Sequence, residues 1–119
     1  MSNRYEQIIV LDDDELYRRV TPYWLEYYRQ NGRFSSATFK PRKGNNLSVD
    51  IARLTTQART LQDYHDYGLA SLITRFVRSI GLDVKHTTDN NNPAHADIIG
   101  IITKTIARQL AGEANILVD

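Results

Sequence analysis

With 119 residues, 41% hydrophobic and 24% charged, the chain has room for one hydrophobic core but not for two, and its composition is far from that of a disordered segment. Cysteine is absent, which removes disulfides, thiolate catalysis and cysteine-ligated metal sites, and fits a reducing compartment. The formal net charge of +1 argues against polyanion binding by bulk charge. No run approaches the roughly 20 apolar residues that span a bilayer and no apolar leader opens the chain, so the expectation is a single cytoplasmic domain over residues 1–119 with no membrane contact.

Residues 5–11 are apolar and β-branched, as in a short strand or a docked N-terminal arm. The acidic knot Asp12-Asp13-Asp14-Glu15 then predicts the start of a short helix carrying Leu16, Tyr17 and Val20, because carboxylates suit the positive end of a helix dipole. Thr21-Pro22 is a second helix start, and Asn31-Gly32 closes that helix. Residues 33–39 read as extended, and residues 41–46 as a loop. Leu47-Ser48-Val49-Asp50-Ile51 alternates like a half-buried strand, so the two extended segments are expected to form a hairpin.

Thr60 and Asp63 have capping-box spacing, which predicts a short helix up to Gly68. Leu69, Leu72, Ile73, Phe76, Val77 and Ile80 follow a helical repeat closed by Gly81, although residues 69–73 by themselves also suit a strand. Residues 82–86 alternate as a strand, and residues 87–93 form a polar loop. Residues 94–101 suit a buried strand, although Pro93 could equally open a helix there, and residues 103–111 suit a helix ended by Gly112, with a tail after it. Strands and helices intersperse without strict alternation, so the expected fold is α+β: a few-stranded sheet packed against helices.

Charge distribution carries the functional signal. No acidic residue occurs from position 27 to 49, while Arg29, Arg33, Lys40, Arg42 and Lys43 fall there, with Ser35, Ser36 and Ser48 as hydroxyl donors. Guanidinium groups bind phosphate oxygens bidentately, and the backbone amides of a turn add to such a site; the plainer account is a solvated basic surface that keeps an edge from aggregating. Lys104 and Arg108 lie one turn apart on the last expected helix and either join that site or form its wet face.

The three histidines and nearby aspartates offer metal-ligand types without a metal-site spacing, so no metal or other cofactor is expected. No GxSxG motif is present. His95 follows an Asn-Pro turn and precedes an apolar run, a position suited to a general base or to a histidine that only binds a loop carbonyl. Tyr23, Trp24, Tyr27 and Tyr28 beside the basic segment are compatible with base stacking, but their helical spacing suits a core or a homo-oligomer contact better.

Several strings, including Phe34-Ser35-Ser36-Ala37-Thr38-Phe39-Lys40, Leu47-Ser48-Val49-Asp50 and Asn92-Pro93-Ala94-His95-Ala96, together resemble a group of short bacterial proteins of no established activity that share an SSAAFK…LSVD…NPAHA pattern. The resemblance covers about residues 12–112 and departs from the pattern over residues 69–78. It implies a one-domain protein and marks Arg18, Arg19, Ser35, Ser36, Lys40, Ser48, Asp50, His95 and Arg108 as positions in shared strings.

Three functions follow as expectations. The leading one is a non-catalytic binding or regulatory module that recognises an anionic ligand or partner through Arg18, Arg19, Arg33, Ser35, Ser36, Lys40, Ser48 and Arg108, nucleic acid being one polyanion the basic segment admits. The second is an enzyme acting on a nucleotide or phosphorylated metabolite, with Arg18 or Arg19 on the phosphate, Ser36 positioning the substrate and His95 as acid or base; it requires those groups to share one cleft. The third is an interaction protein, one half of a toxin–antitoxin pair or an assembly subunit, for which Trp24 must be exposed.

Overall fold

A computed structural model describes residues 8–41, 46–87 and 91–119. Alternation is the first organiser of the chain. Leu47, Val49 and Ile51 of strand β2 (Leu47–Ile51) lie on one face of the sheet, and Ser48 and Asp50 on the other. The same rule places Leu16 and Val20 of β1 (Glu15–Val20) on the β2 core face, and Tyr17 and Arg19 opposite, because Leu16 pairs with Ile51 and Tyr17 with Asp50.

Six strands form one antiparallel sheet in the order β4-β5-β2-β1-β3-β6, with β3 at Gly68–Ile73, β4 at Asp83–His86, β5 at His95–Ile99 and β6 at Asn115–Val118. Helices α1 (Pro22–Asn31), α3 (Thr74–Ser79) and α4 (Lys104–Glu113) bury Leu25, Val77 and Leu110 in one core with Leu16, Val49 and Ile98. Each such side chain contributes about 1.5–3 kcal/mol when fully buried. The opposite face is covered over β1 and β3 by a 3₁₀ turn (Ala52–Leu54), the single-turn helix α2 (Gln57–Thr60) and the turns that follow. The α+β class is therefore as expected, and none of the helices in the described residues is long and apolar enough to cross a membrane.

Several local expectations are corrected. Residues 15–20 are a strand, not a helix: β1 is bonded on both sides, to β2 and to β3. The acidic knot serves instead as an anchor. Asp12 and Asp13 pair with Arg78 and Arg75 of α3 at 2.7 and 2.6 Å, and Asp14 takes Arg53. Residues 33–39 do not pair with β2; they enter a 3₁₀ turn (Ser36–Phe39) capped by the Ser35 hydroxyl, which accepts from the Ala37 N–H.

The helix expected from Thr60 up to Gly68 does not form: residues 61–67 are turns, and the short helix α2 lies before them, capped by Thr56 and ending at Thr60. Residues 69–73 take the strand reading: all but Ile73 are buried because both faces of β3 are covered, so the run shows no alternation for a sequence to reveal. Gly112 lies inside α4, and the supposed tail is the edge strand β6. The N-terminal segment up to residue 7, and Arg42 and Lys43 of the basic stretch, lie outside the described residues.

Candidate functional site

Four of the expected anion-binding residues meet on the helix side of the sheet. Gly32 closes α1 in a left-handed conformation (φ 70°) open to glycine, and its N–H donates to the Tyr28 carbonyl. The chain then turns so that Phe34 is buried against Tyr28 and Phe39, with ring centroids 4.7 and 5.8 Å apart. That anchor leaves Arg33 exposed on one side of it and Ser35 and Ser36 half-buried on the other. Helix α4 packs against this 3₁₀ turn. Its buried Ala107, Leu110 and Ala111 turn Arg108 outward.

Arg33, Ser35, Ser36 and Arg108 thus line one depression of about 370 Å³. Among the described residues no carboxylate lines it, and neither arginine forms an ion pair. The Ser35 oxygen is engaged as the turn cap, which leaves its O–H free to donate.

Arg18, Arg19, Lys40 and Ser48 lie elsewhere. Ladder pairing between β1 and β2 stops at Tyr17 and Asp50. Arg18 occupies the gap beyond, donating from Nε to the Thr38 carbonyl at 3.1 Å and from Nη1 to the Ser48 carbonyl at 2.9 Å. Burial, and then the charge of Arg19, push its pKa down to about 10, so it remains protonated at neutral pH. This arginine stitches backbone rather than meeting a ligand. Lys40 is exposed beyond the 3₁₀ turn and does not line the depression. Ser48 lies across from Asp97 on the face away from the helices.

His95 lies on that same far face, opposite Asp50 in the β2–β5 ladder. Its Nδ1 is 2.9 Å from the Thr87 hydroxyl and 3.2 Å from the Thr87 carbonyl, and its Nε2 is 3.9 Å from Asp97. Ser36 is on the helix side, so the shared cleft of His95, Ser36 and an arginine that the enzymatic reading requires is not formed. The loop-carbonyl role suits the geometry. Trp24 is partly buried against the core, with only Tyr23 of its aromatic neighbours strongly exposed. Among the described residues no three histidine or acidic side chains converge as metal ligands do.

A second, larger cleft of about 510 Å³ lies on the far face, lined by Arg19 of β1, Asp50 of β2, residues between 54 and 64, and residues 91–93. Its residues were not legible as a site. Asp50 reads in sequence as the polar member of an alternating strand, yet it is 3% exposed and bonded to Thr60 and Asn92. Arg19 lies over the Tyr64 ring, with its guanidinium carbon 4.0 Å from the centroid. Only the fold brings positions 19, 50, 60 and 92 together; an acid at a half-buried strand position is the single signal the sequence carries.

The chain matches no protein-family model, and no curated protein and no solved structure shows significant similarity to it.

Proposed function

We propose that this chain is a non-catalytic binding module that takes a small anionic group, phosphate-like in charge and geometry, in the depression between α1, the Ser36–Phe39 turn and α4. The observation that carries this reading is the convergence of two guanidinium groups and two serine hydroxyls, from segments more than 70 residues apart, with no ion-pair partner and no lining carboxylate among the described residues. Planar N–H pairs on Arg33 and Arg108 match the paired oxygens of phosphate or carboxylate, and Ser36 supplies a neutral donor. Two arginines on a chain of net charge +1 suit one anionic group better than the long backbone of a nucleic acid, whose affinity comes from many phosphate contacts.

The test is an NMR titration of the ¹⁵N-labelled chain with inorganic phosphate, pyrophosphate and a short RNA, at low and high salt. The expected result is a saturable shift of the Ser35, Ser36 and Arg108 amides. The Arg33→Ala/Arg108→Ala variant loses at least tenfold in affinity with an unchanged melting temperature, since both side chains are exposed. Equal affinity in that variant, or no anion that moves these amides, overturns the reading. Movement by RNA alone, with a steep salt dependence, replaces the small anion by nucleic acid.

A further inference from the structure

The far-face cleft has chemistry of a different kind, and the anion depression on the helix side makes no use of it. Its floor is the Asp50 carboxylate, with Oδ2 accepting from the Thr60 hydroxyl and Oδ1 from the Asn92 side-chain amide, both at 2.9 Å. Arg19 Nη1 stands 3.8 Å from Oδ2, beyond hydrogen-bond range, and donates to the Thr60 carbonyl at 3.0 Å. An ionised carboxylate has about four acceptor sites, and two short bonds from neutral donors leave the rest unfilled. Arg19 balances the charge at 3.8 Å but fills none of those sites, so the buried carboxylate keeps acceptor capacity on the cleft side. It calls for further donors from whatever fills the cleft.

Which donors follows from the walls. Arg19 and Arg59 are balanced by Asp50 and Asp63, so the charged side chains among the described lining residues sum to zero. That balance disfavours an anion, in contrast to the acid-free depression, and disfavours a cation equally. Five of the eight remaining lining residues, Thr55, Thr60, Gln62, Asn91 and Asn92, are polar, and Leu54, Pro93 and the Tyr64 ring add apolar surface beside them. Tyr64, 37% exposed, adds a ring whose position is fixed by the Arg19 stack and by Tyr67, 5.1 Å away edge-on. Tyr64 is the one aromatic ring among the described lining residues and carries Arg19 on one face, so a base gains at most a single stacking contact. Arg19 and Asp50 are already paired with each other at 3.8 Å, so they offer a zwitterion no free pair of counter-charges. A molecule with a hydroxyl on most carbons satisfies every term: its O–H groups donate to Asp50, its oxygens accept from Arg19, Arg59 and Gln62, and its C–H surface packs on Tyr64.

We propose that this cleft is a binding site for a neutral saccharide. Its volume of about 510 Å³ lies in the range of small-molecule sites and suits one or two sugar rings. Asp50 is the anchoring acceptor and Arg19 the anchoring donor. Thr60 and Asn92 hold the carboxylate in place, so specificity for hydroxyl position is set by groups on rigid β1 and β2 rather than by the rim.

The experiment is a titration of the ¹⁵N-labelled full chain with glucose, galactose, mannose, ribose and maltose, each to tens of millimolar, with sorbitol as an open-chain polyol control. At least one sugar is expected to shift the Asp50, Thr60 and Asn92 amides saturably, with sorbitol weaker. Asp50→Asn is expected to lower that affinity about tenfold. Because Asp50 is buried, two rim variants guard against misfolding: Gln62→Ala, which lowers affinity several-fold, and Thr55→Trp, which blocks the cleft. Arg33→Ala/Arg108→Ala leaves sugar binding unchanged, so failure here and failure of the anion reading are separable. The inference is overturned if none of the five sugars saturates these amides, if binding survives Thr55→Trp, or if pyrophosphate moves them more than any sugar.

Discussion

Replacing Asp14 by asparagine removes the charge that ties Leu11 and the Arg53 turn to the start of β1 while keeping the side chain's shape. Asp14 is 5% exposed. Its Oδ1 accepts from Arg53 Nε at 2.7 Å, and its Oδ2 accepts from Arg53 Nη2 at 2.8 Å and from the Leu11 N–H at 2.7 Å. The Asp14 carbonyl accepts from the Thr74 N–H and hydroxyl at 3.0 and 2.9 Å, which joins the β3–α3 junction to the start of β1. Asparagine keeps the backbone contacts and one acceptor but turns an N–H₂ toward the Arg53 donors. Hydrogen bonds to charged groups contribute about 1.5–3 kcal/mol each. The Arg53 side chain is 43% exposed, so water screens its half of the pair, and the two Arg53 bonds together are worth about one such bond. The expected loss at pH 7 is therefore about 2 kcal/mol, which for a domain of this size lowers the melting temperature by roughly 8 °C.

Urea unfolding across pH separates this cause from others. The Arg53 hydrogen bonds hold the Asp14 carboxyl below its ordinary value of 3.8, against the opposing effect of burial and with help from the Leu11 N–H. A depressed carboxylate pKa contributes stability that is full above the unfolded-chain value and is lost as pH falls through the lower folded one. The gap between the native chain and Asp14→Asn should be constant from pH 7 to about 5 and should close below 3.8. A gap under about 0.5 kcal/mol at pH 7, or one as large at pH 2 as at pH 7, refutes the reasoning.

Three further outcomes are expected. Gly112→Ala raises stability by about 0.5–1 kcal/mol in urea melts, because Gly112 is an interior residue of α4 with open space where a Cβ would stand; a helix that ended there in a left-handed turn would be destabilised instead. Gly68→Ala lowers stability by about 1–3 kcal/mol, since its Cβ would meet Leu25 Cδ1 at 2.5 Å and the Val118 carbonyl at 2.8 Å; hydrogen exchange should show β6 losing protection first. Thr103→Ala costs about 1 kcal/mol by removing the hydroxyl that accepts from the Ile106 N–H at the start of α4, and Thr103→Ser should restore most of it.

Where local chemistry and tertiary context agree, the sequence is enough. Thr21-Pro22 and Asn31-Gly32 bracket α1 because caps and a left-handed glycine act within a few residues. Asp83–His86 alternates because one face meets the core and the other water, and Leu47–Ile51 alternates in residue type because its apolar side chains face the core and Ser48 and Asp50 the other side. The serines and arginines of the anion depression stand out because acid is absent for more than 20 residues around them. Arg108 joins them only through the packing of α4 on the Ser36–Phe39 turn.

What the tertiary structure alone decides is set by burial on two sides and by pairs distant in sequence. Gly68–Ile73 is a strand because β1 and β6 flank it and both faces are covered; its near-continuous burial leaves a run that fits a helix equally well. The Asp12–Glu15 knot ends in a strand because carboxylates that suit a helix start suit arginines from elsewhere better: Arg53, Arg75 and Arg78 lie 39 to 66 residues away and could not be assigned to it from local pattern. The far-face cleft depends wholly on such pairs. Its charge balance and the unfilled acceptor sites of Asp50 exist only once β1, β2, α2 and the Asn92 loop are in place. Composition and local spacing determined the class of the fold and the acid-free basic surface; long-range strand pairing determined which side chains share a face, and therefore which of them can share a ligand.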